Sequence, residues 1–182
     1  MKHEVITLDN VQLIGLTRQI PFNRAEEACP QFWREYFQTV IHPVDIAGKE
    51  PTPLQAAALK HNVGSYGYCL CDDPKHCCDT CGQENFTPCN TKRFTYVIAG
   101  IYRGGEVPEG LRLIPVRSGR WLKVWFEGGL QAFAAQRAKL YGEWLPQHPE
   151  YRWDGNVACL EWYSEGDIAS PEYSYGLMLP LV

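Results

Sequence analysis

The sequence predicts an α+β protein built from two consecutive modules, each running strand, helix, strand, strand. Three observations carry this. Short runs of β-branched and aromatic residues have strand length, two longer stretches place apolar residues at helical spacing, and the element order of residues 1–103 returns in residues 104–182. The halves share no evident sequence identity and no short fixed period, so the repeat is one of element order.

The opening E-V-I-T-L-D-N-V-Q-L-I-G-L-T reads as a strand or a bent pair of strands ending near Pro21. In A-E-E-A-C-P-Q-F-W-R-E-Y-F-Q-T-V-I, Phe32, Tyr36 and Val40 recur every fourth residue with Trp33 and Phe37 beside them, which predicts a helix with an aromatic face. Asn23 is the expected N-cap, Glu26 and Glu27 sit where the helix dipole favours acids, Pro30 shifts or kinks the start, and His42-Pro43 ends the helix. L-Q-A-A-A-L-K suits a short helix. V-G-S-Y-G-Y-C-L-C-D-D and K-R-F-T-Y-V-I-A-G-I read as the module's later strands.

Glycines and a proline between Gly104 and Gly110 mark a connector. The second module follows with L-R-L-I-P-V and R-W-L-K-V-W-F-E-G as strands and G-L-Q-A-F-A-A-Q-R-A-K-L-Y-G-E-W-L-P as a helix ending at Pro146. V-A-C-L-E-W-Y and Y-S-Y-G-L-M-L-P-L-V close it as strands. Aromatic residues at helical spacing belong to the core by default, so Phe32, Trp33, Tyr36, Phe37 and Trp144 are expected there.

Composition narrows the function. The 182 residues are 45% hydrophobic and 21% charged, ordinary globular usage with enough chain for a substantial core. A net charge of −4 and the lack of a basic helix or zinc-finger spacing argue against direct nucleic-acid binding. No apolar run approaches the roughly 20 residues that cross a bilayer, and the N-terminus lacks a secretory apolar region, so no membrane partner and a cytoplasmic location are expected.

One residue stands out: Glu161, within V-A-C-L-E-W-Y. Side chains alternate along a strand, so Ala158, Leu160 and Trp162 share a face suited to packing under a helix, while Cys159, Glu161 and Tyr163 share the other. The same rule puts Leu122, Val124 and Phe126 in the core and turns Trp121, Lys123 and Trp125 away from it. On that reading the non-core face carries two tryptophans, a tyrosine and the acid. A carboxylate removed from water costs several kcal/mol unless something compensates it. Either Lys123 or an arginine pairs with Glu161, or the face is solvated, or aromatic walls bind a flat cation whose charge the acid answers.

These stretches resemble the GyrI-like small-molecule-binding domain, also called the AraC-type or multidrug-regulator effector-binding domain. The resemblance rests on Y-G-Y-C-L-C-D-D-P, K-R-F-T-Y, V-P-E-G-L-R-L-I-P-V-R-S-G-R-W-L-K-V-W-F-E-G and A-C-L-E-W-Y, in an order and spacing that cover nearly the whole chain. It implies one effector-binding domain over residues 1–182, with pseudo-twofold symmetry between modules 1–103 and 104–182. It further implies an antiparallel sheet with helices on one face, a ligand cleft between the modules, and Glu161 as the central acid. Lipophilic, cationic or aromatic compounds are the implied ligands. Tyr68, Tyr96, Trp121, Trp125 and Tyr163 are the candidate walls because their strands should border the cleft.

Two alternatives accompany this reading. Some members of the family hydrolyse cyclopropane-containing genotoxins; here Glu161 would act as general acid or base with Tyr163 or Tyr68 nearby. Others antagonise gyrase poisons, which makes DNA gyrase or a transcription regulator an expected partner, besides a second copy of the chain as a homodimer. No DNA-binding helices precede the first strand, so a stand-alone sensor or sequestering protein is expected.

The segment 69–89 departs from the family pattern, holding six of eight cysteines together with His76. No cofactor is required by the binding reading, but Cys69, Cys71, Cys77, Cys78, Cys81, Cys89 and His76 are candidate zinc ligands. Cys77 or Cys78 with Cys81 forms a C-x2-C-like pair that the others would complete. Disulfides and free thiols are the competing readings, with disulfides disfavoured in a reducing cytosol. Cys29 and Cys159 are expected as small buried hydrophobes.

Overall fold

The computed structural model describes residues 1–42, 49–70, 93–155, 157–166, 168, 170 and 173–182. Its strands are β1 (His3–Leu8), β2 (Gln12–Pro21), β3 (Tyr66–Leu70), β4 (Arg93–Ile101), β5 (Arg112–Pro115), β6 (Gly119–Trp125), β7 (Leu160–Tyr163) and β8 (Tyr175–Pro180). Its helices are α1 (Ala25–Tyr36), α2 (Pro53–Lys60) and α3 (Phe133–Lys139). The opening run is thus a bent pair: it breaks at Asn10, whose φ of 51° is left-handed, a conformation asparagine tolerates.

All strands join one eight-stranded sheet in the order β1-β6-β8-β7-β3-β4-β2-β5, with every pairing antiparallel. The order is symmetric about the β7-β3 seam, each module supplying three consecutive strands and lending one to the other's edge. β1 and β2 stand first and seventh, yet only Asp9, Asn10 and Val11 connect them. Three residues reach only about 10–14 Å, so the sheet must curl until its ends approach. β5 and β6 impose the same closure through Val116–Ser118, and the Val116 N–H donates to the Val11 carbonyl at 2.9 Å across the bend.

Curling gives the two faces different fillings. The inner face holds a helix-free core to which every strand contributes, including Leu13, Tyr68, Val97, Ile114, Trp121, Leu160, Trp162 and Met178. The outer face is covered by helices in two separate patches. α1 and α2 pack Phe32, Tyr36 and Ala58 against Ile14, Ile20, Phe94 and Ile98 of β2 and β4. α3 and the helical turns that extend it to Gln147 pack Leu140 and Leu145 against Leu122, Val124, Leu177 and Leu179 of β6 and β8. The two central strands, β7 and β3, lie between the patches.

Asn23 does not cap α1. A 3-10 turn at Phe22–Arg24 leads into the helix, and Arg24 occupies the cap without a side-chain bond. Pro30 is accommodated because it and Glu26, whose carbonyl loses the N–H it would have received, both face solvent. Each long helix then widens into a π-helical turn, Phe37–Ile41 after α1 and Leu140–Trp144 after α3. α2 starts with a reciprocal cap between Thr52 and Gln55. Its end packs onto β4 where Gly100 leaves no room for a Cβ against the His61 carbonyl.

His61 is 1% exposed, and its Nδ1 accepts the Arg103 N–H at 3.0 Å. Burial pushes its pKa below the ordinary 6.5, with repulsion from Lys60 and Arg103 adding to the effect. The unfolded chain therefore binds this proton at a pH where the folded chain does not. His61 contributes stability that is complete above about 6.5 and is lost as pH falls below it. Urea midpoints measured through that interval should drop with acidification, and His61→Gln should flatten that part of the profile.

Candidate functional site

The strand register decides what faces the gap between the helices. Gly67 pairs with Glu161, Glu161 with Leu177, and Leu177 with Val124, so Glu161 points to the helix-covered side. Cys69 pairs with Tyr96, which puts both on that side. Tyr163 follows Glu161 by two and shares its face. The acid therefore stands in the seam between the patches covered by α1 and α3, on a groove floor made by β3 and β7.

Two hydroxyls hold the carboxylate. Tyr96 Oη and Tyr163 Oη both donate to Glu161 Oε2, the latter at 3.1 Å. Trp33 of α1 donates its indole N–H to Tyr96 Oη at 3.0 Å and sets its ring edge-on to Tyr163, centroids 5.2 Å apart. Phe37 stacks on Trp33 at 5.9 Å. Desolvation raises the Tyr96 and Tyr163 pKa values well above the phenol range, and the nearby Glu161 charge raises them further, so both remain protonated donors. Among the described residues Glu161 has no ion-pair partner, and its Oε1 accepts no hydrogen bond.

Gly67 makes this geometry possible. A Cβ there would fall on Glu161 Oε2 and Tyr96 Oη, well inside van der Waals contact. The bare backbone lets the carboxylate lie across β3 and reach the tyrosine.

α3 forms the opposite wall. Desolvation works against the charge of Arg137, but Cys159, Tyr141 and Glu161 outweigh it and raise the guanidinium pKa. Its guanidinium lies 6.0 Å from the centre of the Tyr141 ring. Cys29 from α1 is pushed up to about 12, by desolvation first and then by the Glu161 charge. The groove thus combines an indole, phenols, thiols, one carboxylate and one guanidinium. A separate cavity of about 290 Å³ between α2 and residues 106–108 mixes Lys60 and Glu106 with Pro53, Ala56, Ala57, His61 and Pro108 and has no Phe, Tyr or Trp wall.

Of the six expected binding residues, the structure brings Glu161, Tyr163 and Tyr96 together and sends Tyr68, Trp121 and Trp125 to the inner core. Tyr68 pairs with Leu160, on the face opposite Glu161. Trp121 is 0% exposed and donates to the Arg117 carbonyl. Trp125 sits edge-on to Trp162 at 5.3 Å, with the ammonium groups of Lys2 and Lys123 each 4.7 Å from its centre. Grouping the tryptophans with the acid is therefore corrected by register: alternation within β6 and within β7 holds, but the phase between them is opposite to the one assumed. The helices likewise lie on the acid's side, not over Leu160 and Trp162.

Trp33 is the principal site residue that periodicity missed, having been expected in the core with Phe32, Tyr36, Phe37 and Trp144. Phe32 and Tyr36 are buried, whereas Trp33 is half-buried at the groove and Phe37 is 40% exposed. Trp144 is half-buried and stacks on His148 at 3.9 Å, away from the acid. Cys29 and Cys159, expected as small buried hydrophobes, are half-buried at the groove and pack against the edges of the two helix-covered clusters. Among the candidate zinc ligands, Cys71, His76, Cys77, Cys78, Cys81 and Cys89 lie outside the described residues, and Cys69 belongs to no metal-ligating group of three or more among the described ones. None of the helices among the described residues is long and apolar enough to cross a membrane.

An antiparallel sheet symmetric about a central seam, with helices over each half on one face, is the α+β fold that the GyrI-like resemblance implied. Solved structures share it. A protein called SAV2435, bound to tetraphenylphosphonium, matches over 100% of this chain and 94% of its own, with a TM-score of 0.69 and 16% identity. A Staphylococcus aureus protein assigned to bacterial transcription regulation matches over 100% and 98%, with a TM-score of 0.63 and 16% identity. At these identities the likeness is one of fold. No family model and no curated protein matches the sequence.

Proposed function

We propose that this protein binds lipophilic aromatic cations in the groove between α1 and α3, with Glu161 answering the positive charge. The observation that carries the reading is the state of that carboxylate: half-buried, held by two neutral hydroxyls, and without an ion-pair partner among the described residues. Arg137 across the groove acts on this charge without an ion-pair contact, so compensation is partial and a guest cation supplies the rest. Trp33 and Tyr163 offer ring surface for cation–aromatic contact, each worth roughly 0.5–2 kcal/mol. The fold neighbour bound to tetraphenylphosphonium supports the ligand class. Drug or toxin sensing and sequestration are the roles such binding serves, and partnership with a regulator, with gyrase or with a second copy would build on it.

Burying about 300 Å² of apolar ligand surface at roughly 25 cal/mol/Å² yields about 7.5 kcal/mol gross. Association costs remove several kcal/mol of this, leaving affinity on the order of millimolar from burial alone, which the cation–aromatic contacts and the Glu161 charge carry toward micromolar. Shape contributes to that affinity as well as charge, so the decisive comparison is between ions of one shape and opposite sign. Titration calorimetry should show binding of tetraphenylphosphonium and none of tetraphenylborate. Equal affinity for the two would remove the electrostatic role of Glu161. Turnover of strained electrophiles would use the same carboxylate as general acid or base, and multiple turnover of a cyclopropane substrate would replace the binding-only reading.

A further inference from the structure

The β3-β7 register runs Tyr66 with Trp162, Gly67 with Glu161 and Tyr68 with Leu160. The paired ladder ends there; continued by one step, its register sets Cys69, the next residue of β3, against Cys159, which immediately precedes β7, in phase with the face that carries Glu161. Directly opposed residues of antiparallel strands have Cα atoms about 4.5–5.5 Å apart, close enough for one atom to bridge their side chains. Both thiols are free; Cys69 is exposed and Cys159 half-buried.

We infer that Cys69 and Cys159 form a dithiol subsite at the groove floor that chelates trivalent organoarsenic compounds, the aromatic substituent lying against Trp33 and Tyr163. The step is a condensation: an arsonous acid R–As(OH)2 exchanges two As–O bonds for two As–S bonds. Each thiol proton leaves with a hydroxyl as water, and no oxidation state changes. This chemistry suits these thiols in particular. Desolvation raises the Cys159 thiol above its ordinary value. It stays protonated at neutral pH, which slows alkylation and oxidation because those need thiolate. Condensation with arsenic does not. The thiol pair stands independently of the cation reading, and only the preference for an aromatic substituent rests on it.

The test uses the full chain with Cys71, Cys77, Cys78, Cys81 and Cys89 changed to Ser, titrated with phenylarsonous acid and read by intact mass and by counting free thiols. One bridge per chain and loss of two thiols is the expected result. Cys69→Ser and Cys159→Ser should each weaken binding about a hundredfold or more, the effective-concentration advantage of a second tethered thiol. Unweakened binding by either single variant overturns the assignment, since a pair that includes Cys29 would leave one of them silent. In the chain with all eight cysteines, peptide mapping should recover a Cys69–Cys159 bridge at excess reagent, and bridges confined to residues 71–89 would overturn it without any substitution. Tetraphenylphosphonium titrated alongside separates the two readings, since its failure with the bridge intact removes the cation site alone.

Discussion

Glu161→Gln is expected to weaken tetraphenylphosphonium binding about thirtyfold while leaving the unliganded protein at least as stable. A cation ~7 Å from a carboxylate at an effective dielectric near 20 is held by roughly 2 kcal/mol, and that attraction disappears with the charge. Glutamine retains a carbonyl oxygen to accept from Tyr96 and Tyr163, so the hydroxyls keep their partner. Removing an under-compensated charge from a half-buried position does not destabilise the fold and can raise its melting temperature. The opposed signs on ligand affinity and stability make the outcome specific. A variant that binds as tightly as the parent, or one that unfolds, would show that the carboxylate serves packing instead of recognition.

Gly67→Ala should abolish cation binding by a route that leaves the charge in place. The added methyl takes the position of Glu161 Oε2 and Tyr96 Oη, and the carboxylate, being the flexible end of its side chain, swings away. Tyr96 cannot follow freely because Trp33 holds its hydroxyl. The lost charge-assisted hydrogen bond costs about 1–2 kcal/mol, which in a chain of this length lowers Tm by several degrees. Because the conflict is between two particular side chains, the effects should not add. In the Glu161→Ala background the penalty of Gly67→Ala should shrink by about 0.5–2 kcal/mol. Additive losses in thermal denaturation would place the cause in the strand backbone.

Much of the fold was legible because its signals are local. Thr52-Pro53-Leu54-Gln55 announces the start of α2 through its own side chains, and Asn10 breaks the opening run through its own backbone. Asn23 misled because a 3-10 turn takes the place where a side-chain cap would form, and that turn follows from how β2 delivers the chain to the helix. Trp33 misled for a related reason. Periodicity places it on the aromatic face of α1, but whether that face ends over the sheet or at the groove depends on where β3 and β7 lie beneath it.

By itself the sequence determined the element order, the two-module plan, and the fact that Glu161 and Tyr163 share a face of β7, since alternation is a property of one strand's own backbone. Only the tertiary structure decided that this face carries Tyr96 and Trp33 and turns away from Tyr68, Trp121 and Trp125. The phase between strands is set by hydrogen-bond register, and here it passes from β7 through β8 to β6, strands far apart along the chain. A shift of one residue in either pairing would exchange the faces. No short-range pattern encodes that choice, because it comes from the connections and from curling the sheet around its helix-free core.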